Sequence, residues 1–423
     1  MTAPAKQPDR AVRAGSLGAI DQGIFSLGNL AFFLVLGRET SAATFATVAT
    51  GMLIYETIQL VTRGAFAQPA AIVLPTLDSE RANELAGSLL SAILRLATVV
   101  TILVAGIEWL VLEGTERNLM IWVALLFVPI MLQEGVRNIA FGTGRAMGAV
   151  KSDLVWTVMQ VAGSAVLIVT EQATAGRLLG LWGAGAAVGA IVGLIALDVR
   201  ITRSARPWTS AAKEYAPKLT AENALSATQT HAVSWLVLAI VGSVGVGTIR
   251  GIRTLFGPAN AMGAGLRAAI LPVMRRQMSS NSGARAFRAA GGLAAAIAGL
   301  AIVTAIAVAV LPMAWGEALL GETFESSQAL AAPYGVLTVA TAGVIASQVV
   351  LLSATQLREL IGARAILAVV TVVLVPIGAS VWGTSGALWM AALATLLSMP
   401  AWILATRRVQ TASTNRGEGP GSP

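Results

Sequence analysis

Apolar residues in this chain come in stretches about 20 residues long, each closed by a short polar or basic break, and that recurrence limits the fold more than any other feature. A stretch of that length crosses the hydrocarbon layer of a bilayer as one helix. The spans read as 15–36, 45–73, 88–112, 119–141, 154–170, 178–197, 219–241, 248–273, 289–314, 329–353, 365–382 and 386–406. This predicts an all-α integral membrane protein with about twelve transmembrane helices. The spans 154–170 and 365–382 are short, and Pro69, Pro129, Pro258, Pro272 and Pro376 interrupt others. Such breaks are tolerated where neighbours or water re-satisfy the freed backbone groups.

Composition agrees. Hydrophobic residues are 56% of the chain and charged residues only 12%, where a soluble globule carries about 25%. The 43 glycines suit the close packing of membrane helices. There is no Cys, and the single His231 excludes a multi-histidine metal site. No cofactor and no metal are therefore expected. The first 14 residues are polar and basic, and the following span is about 22 residues, too long for a signal-peptide core. It reads as a retained helix.

Lys and Arg set the orientation. With both termini cytoplasmic, the inner side receives Lys6, Arg10, Arg13, Arg200, Arg203, Arg206, Lys213, Lys218, Arg275, Arg276, Arg407 and Arg408. The outer side receives Arg38, Arg117 and Arg177, among short acidic loops carrying Glu113, Glu116, Glu317, Glu322 and Glu325. The surplus of +8 is then topology and contact with anionic lipid heads, not nucleic-acid binding. The polar stretch 198–218 divides the chain. The expected organisation is a cytoplasmic N-tail 1–14, an N-lobe 15–197, a cytoplasmic inter-lobe loop 198–218, a C-lobe 219–406 and a disordered cytoplasmic C-tail 407–423. A faint echo links the halves: Arg63, Phe66 and Pro69 in span two, and Arg253, Phe256 and Pro258 in span eight.

No enzyme signature stands out. There is no P-loop, no Asp-x-Asp pair in a loop, and no outer loop large enough for a catalytic domain. Gly242, Gly245 and Gly247 lie at a helix end with no preceding strand and form no phosphate cradle. No residue is assigned a catalytic role. The informative residues are polar groups inside the spans, where a central charge costs about 2.5–3.5 kcal/mol and usually faces a partner or a cavity. Asp21, Gln22, Ser26 and Asn29 form a stripe on span one, and Glu56, Gln59 and Arg63 form one on span two. Span four pairs Gln133 with Arg137 and Glu134 with Asn138 at i,i+4. Span seven carries Glu222 and Asn223, and span eight carries Arg250, Arg253, Asn260 and Arg267.

Each has a plainer reading. Arg95, Arg137 and Arg267 are within snorkelling reach of the interface. Glu134 and Arg137 are close enough to neutralise one another. Asn29 and Gln59 are of the type that glues helices together. His231 reads as a packed residue and Glu108 as a solvated one. Together, however, the four stripes ask for a shared polar cavity between two helical bundles. Arginines there would suit phosphate oxygens.

The opening Asp21-Gln-Gly-Ile-Phe-Ser26-Leu-Gly-Asn29 resembles the first helix of the polysaccharide (O-antigen type) flippases of the multidrug/oligosaccharidyl-lipid/polysaccharide (MOP) exporter superfamily. Gln133-Glu-Gly-Val-Arg137 through Asp153-Leu-Val-Trp156, and Leu255-Phe-Gly-Pro258 through Leu271-Pro272, agree with it. The resemblance implies a MATE-like fold of two six-helix lobes in a bacterial inner membrane. It implies alternating access that moves a polyprenyl-diphosphate-linked oligosaccharide from the inner to the outer leaflet. The implied partners are that lipid-linked saccharide, membrane lipids and polysaccharide-assembly enzymes. By matching position it carries over Asp21, Asn29, Arg137 and Arg253. The short loops and scarce Tyr depart from typical members. A cation-coupled drug exporter of the same superfamily is the alternative, and it expects an acid-dominated cavity. A major-facilitator transporter would carry a basic loop after span two, which Pro75-Thr-Leu-Asp-Ser-Glu-Arg81 does not match.

Overall fold

The structure, a computed structural model, describes residues 7–279, 283–354 and 356–417. Among the described residues there is no strand. The helices are α1 (Gln7–Glu39), α2 (Ala42–Ala65), α3 (Ala67–Val73), α4 (Ser79–Val111), α5 (Gly114–Leu125), α6 (Phe127–Gly142), α7 (Met147–Val169), α8 (Ala175–Leu197) and α9 (Arg206–Ala212). They continue with α10 (Ala216–Ile240), α11 (Ser243–Leu255), α12 (Gly257–Ser279), α13 (Gly283–Val310), α14 (Met313–Leu320), α15 (Thr323–Gln328), α16 (Ala331–Ser353) and α17 (Leu357–Gly417). The protein is all-α.

Nine stretches among the described residues are long and apolar enough to cross a membrane, so the chain is a multi-pass membrane protein. The last of them, Arg358–Gln410, bends at Trp382 and Gly383 and holds both spans expected at 365–382 and 386–406. Two expected spans are not among the nine. In α10 only Thr230–Ile240 is apolar, and span 248–273 is divided into α11 and α12 and loaded with Arg250, Arg253 and Arg267. The span expected at 154–170 starts instead at Met147, and that at 88–112 starts at Ser79, where the Asp78 side chain caps the helix by accepting from the Arg81 N–H.

Proline sets three of the internal breaks; Pro272 and Pro376, expected to interrupt their spans, lie inside α12 and α17, and α17 bends at Gly383 instead. A proline lacks the N–H and crowds the carbonyl four residues back. The chain accordingly leaves the helix two or three residues before Pro69, Pro129 and Pro258, at Phe66, Leu126 and Phe256. The Arg-Phe-Pro echo therefore marks the same local event in both halves. Phe66 closes α2, and Phe256 closes α11.

By packing, the chain forms two units. One comprises Met1–His231 with Glu317–Thr323, and the other Ala232–Gly316 with Phe324–Pro423. This division falls inside α10, whereas sequence polarity suggested 198–218. That stretch carries α9 and is seated on α4: Thr202 N–H donates to Gly87 O at 3.2 Å, Ser88 Oγ to Ser204 O at 3.0 Å, and Trp208 N–H to Ser88 Oγ at 3.0 Å. Trp208 is fully buried. The C-tail expected to be disordered from 407 stays helical to Gly417, and residues 418–423 lie outside the described residues. The N-tail is helical from Gln7, while residues 1–6, Lys6 included, also lie outside them.

In the first unit, Phe32 stacks on Trp182 at 4.4 Å, and Trp156 on Trp182 at 6.2 Å. Gly185, Gly189 and Gly193 give α8 a side-chain-free stripe against α7, so Ser152 Oγ reaches Gly189 O at 2.8 Å. In the second unit, the two arms of α17 cross where Gly378 and Gly386 touch backbone to backbone. Gly383 makes the bend with φ +61°, a conformation that disfavours other residues. Replacing Gly386 by Val should cost about 1–3 kcal/mol through overpacking and lower the thermal midpoint in detergent. Gly292→Ala, which meets open space, should leave it unchanged.

Candidate functional site

The first unit gathers its polar groups around α6. Downstream of the Pro129 break, α6 projects Gln133 and Arg137 to one side and Glu134 to another. On the first side, Arg137 Nε donates to Asp21 Oδ2 of α1 at 2.5 Å, and Arg137 Nη2 donates to Gln22 Oε1 at 3.2 Å. The same Nε lies 3.4 Å from Asp153 Oδ2 of α7. Gln133 Nε2 donates to Asp153 Oδ1 and, at 3.2 Å, to Ser152 Oγ. The guanidinium also lies 5.2 Å from the centre of the Phe25 ring. Asp21 and Asp153 are both fully buried, and Asp21 Oδ1 accepts no hydrogen bond among the described residues. Two buried carboxylates thus meet one guanidinium. With both ionised, one negative charge would go uncompensated, which burial disfavours.

On the second side, Glu134 bridges to α2. Its Oε1 accepts from Arg63 Nε at 2.6 Å and its Oε2 from Gln59 Nε2 at 2.5 Å. This pair sits beside the break at Phe66. The Arg63 side chain is 40% exposed and Glu134 13%, so the arginine keeps access to solvent or to a ligand. Glu56, half-buried about two turns earlier, lies in electrostatic reach of Arg63. A third pair joins α3 to α10: Asn223 Nδ2 donates to Gln68 Oε1 at 2.7 Å and Gln68 Nε2 donates back to Asn223 Oδ1 at 3.5 Å. Close passage of Gly64 against the Leu219 backbone permits it.

Arg145, in the short connection after α6, is also internally satisfied. It donates to Thr143 Oγ1 at 3.1 Å, to Asn83 Oδ1 at 2.6 Å and to Leu197 O. Burial pushes its pKa down, and the nearby Asp198 carboxylate opposes that shift. It lines a cavity of about 430 Å³ beside Leu74, Pro75 and Thr143.

Of the residues singled out from sequence, the structure joins Asp21 to Arg137, and both Gln59 and Arg63 to Glu134. Asn29 is half-buried. Glu222, Arg250 and Arg253 are half-buried and hold partners of their own. Arg267 is exposed in the second unit. Asp21 lies in a tight seam between helices, not on an open wall. Glu134 and Arg137 do not pair with one another; each reaches a different helix. Asp153 falls outside the sequence-derived set because the apolar run begins only at 154, whereas α7 begins at Met147. The Gln133–Arg137 spacing was the available signal. Glu108, expected to be solvated, is buried.

No protein-family model matches the chain, and no curated protein matches it by sequence. Solved structures do. An inward-facing multidrug-resistance MATE-family transporter of the MOP superfamily aligns with TM-score 0.68 and 13% identity, over 94% of this chain and 96% of that one. The chain has the MATE-type fold. The lipid II flippase MurJ, in an inward closed conformation, aligns with TM-score 0.64 and 9% identity over 98% and 93%. A MOP-superfamily transporter from Pyrococcus furiosus, described as having a binding pocket of reverse polarity, aligns with TM-score 0.62 and 13% identity over 97% and 96%. These proteins are transporters and a flippase rather than enzymes, and what they share with this chain is the fold.

The Arg137 cluster yields a stability prediction. Arg137→Ala strands two buried carboxylates and should cost about 3–5 kcal/mol, read as a lower melting point and a lower folded yield in detergent. Asp153→Asn in the Arg137→Ala background should recover part of that loss. No recovery would mean that the carboxylates do not feel one another.

Proposed function

We propose that the chain is an alternating-access transporter that carries a polyprenyl-diphosphate-linked saccharide from the inner to the outer leaflet of the bacterial cytoplasmic membrane, with both termini cytoplasmic. The observation that carries this reading is a set of arginines held at membrane depth by a fold it shares with a lipid flippase. Arg63, whose Nε is held by Glu134 but whose side chain is 40% exposed, and Arg267, which is exposed, can reach phosphate oxygens in a way that an apolar helix bundle would not arrange without use. The resemblance of the Asp21–Asn29 and Gln133–Asp153 stretches to O-antigen type flippases points the same way. The Asp21–Asp153 pair, two buried carboxylates on one guanidinium, offers a place for a proton or a monovalent cation, and loading or releasing it is a means of driving the cycle.

A second reading is a cation-coupled exporter of small molecules. One observation favours it: Arg63 and Arg137 are already paired with carboxylates, so the first unit presents little net positive charge to a cargo.

The readings separate by experiment. Under the flippase reading, loss of the gene leaves lipid-linked saccharide on the inner leaflet, seen by leaflet-resolved lipid analysis, and Arg63→Ala slows delivery by about tenfold, the worth of one charge-assisted contact. Normal delivery in the deletion, in a strain holding no second flippase, ends that reading. Export of a cationic dye that collapses when the ion gradient is discharged, with lipid-linked saccharide unaffected, establishes the alternative.

A further inference from the structure

In the second unit, three helices enclose a pocket of about 240 Å³, which the first unit's ion pairs do not account for. Its walls follow helical spacing. Asn260, Gly263, Ala264 and Arg267 lie on one face of α12, Ile297 and Ala301 on one face of α13, and Tyr334 through Ile345 on one face of α16. Gly263 and Ala264 leave the space that Asn260 and Arg267 frame.

Among the described residues, the polar groups of this pocket are left largely without protein partners, and neither Arg267 nor Asn260 makes a side-chain hydrogen bond or ion pair. Of the six in-span arginines, Arg63 and Arg137 hold carboxylates, Arg95 donates to Arg203 O, and Arg250 and Arg253 have partners of their own. Arg267 alone among them is uncommitted. Across the pocket, the Thr338 and Thr341 hydroxyls spend their protons on Tyr334 O and Leu337 O, at 2.8 and 2.7 Å, which leaves oxygen lone pairs toward a ligand donor. The Tyr334 ring is held against Phe256 at 4.9 Å. Ile297, Leu337 and Ile345 supply an apolar wall.

We infer that this pocket is a subsite for the phosphate-bearing head of an anionic lipid, with Arg267 as the anion contact, Asn260 and Tyr334 facing the head's oxygens, Thr338 accepting from its hydroxyls, and the isoleucine–leucine wall taking the first carbons of the tail. The volume decides the portion bound. At about 240 Å³ it is smaller than a pocket for a whole drug-sized ligand, about 300–1,000 Å³, and suits a head group. A guanidinium fork matches phosphate oxygens in plane, which a carboxylate-lined pocket cannot do. The choice of a polyprenyl diphosphate as the lipid rests on the function proposed above; the pocket's demand for an anionic head does not. A diphosphate cargo and a bulk anionic phospholipid share that chemistry.

The test uses the full chain purified in detergent, with native mass spectrometry counting bound lipid. A polyprenyl diphosphate and phosphatidylglycerol are titrated separately. The variants are Arg267→Ala, Arg267→Lys and Ala264→Phe, which fills the pocket without touching the charge, with Arg177→Ala as the control. Arg267→Ala and Ala264→Phe should weaken binding of the polyprenyl diphosphate about ten- to a hundredfold, with Arg267→Lys between them and wild type and Arg177→Ala unchanged. If phosphatidylglycerol binds as tightly and is lost in the same variants, the anionic-head subsite stands and the saccharide-carrier reading loses its support. If both pocket variants elute and melt as wild type and bind both lipids unchanged, the subsite is overturned.

Discussion

A bilayer offers no water to an unpaired backbone group, and everything else in this protein is arranged around that fact. Helices satisfy it along their length and fail to satisfy it at proline. The chain places its prolines where another element is close by. Downstream of Pro129, α6 bonds to α1, α2 and α7 through side chains, and the break before Pro69 lies beside the Arg63–Glu134 pair and the Gln68–Asn223 pair. These two breaks thus coincide with polar joints that tie helices together.

Those joints divide the labour between charges. In the first unit, arginines are matched by carboxylates, carbonyls and amides, so most of their cost is met within the protein. Their net contribution is to specify which helix faces which, since a hydrophobic seam alone would tolerate sliding. In the second unit, Arg267 is left without such a partner among the described residues. What separates Arg267 from the arginines of the first unit is what already occupies their hydrogen-bond donors.

The sequence made the fold class legible because apolar run length reports directly on bilayer thickness, and the repeated Arg-Phe-Pro pattern marked two equivalent breaks. Span ends were less legible. Asp153 and Ser79 sit in helical turns that polar residues and caps extend beyond the apolar run, so hydropathy cut them off. Pairing was least legible. The i,i+4 spacing of Gln133 and Arg137 put them on one face, yet nothing local says that Arg137 turns to Asp21 and Asp153 while Glu134 turns to Gln59 and Arg63. That choice is made by helix packing, which depends on the glycine stripe of α8 drawing α7 close.

The seating of residues 200–208 on α4 has a consequence for handling the chain. A hydrophilic segment between two halves invites the experimenter to splice in a reporter or to lengthen the tether. Here that stretch is stitched by main-chain bonds and pinned by an interior Trp208, so an insertion would have to pull an anchor out of its seat. Polarity measures affinity for water; slack is a separate property, and this segment has the first without the second.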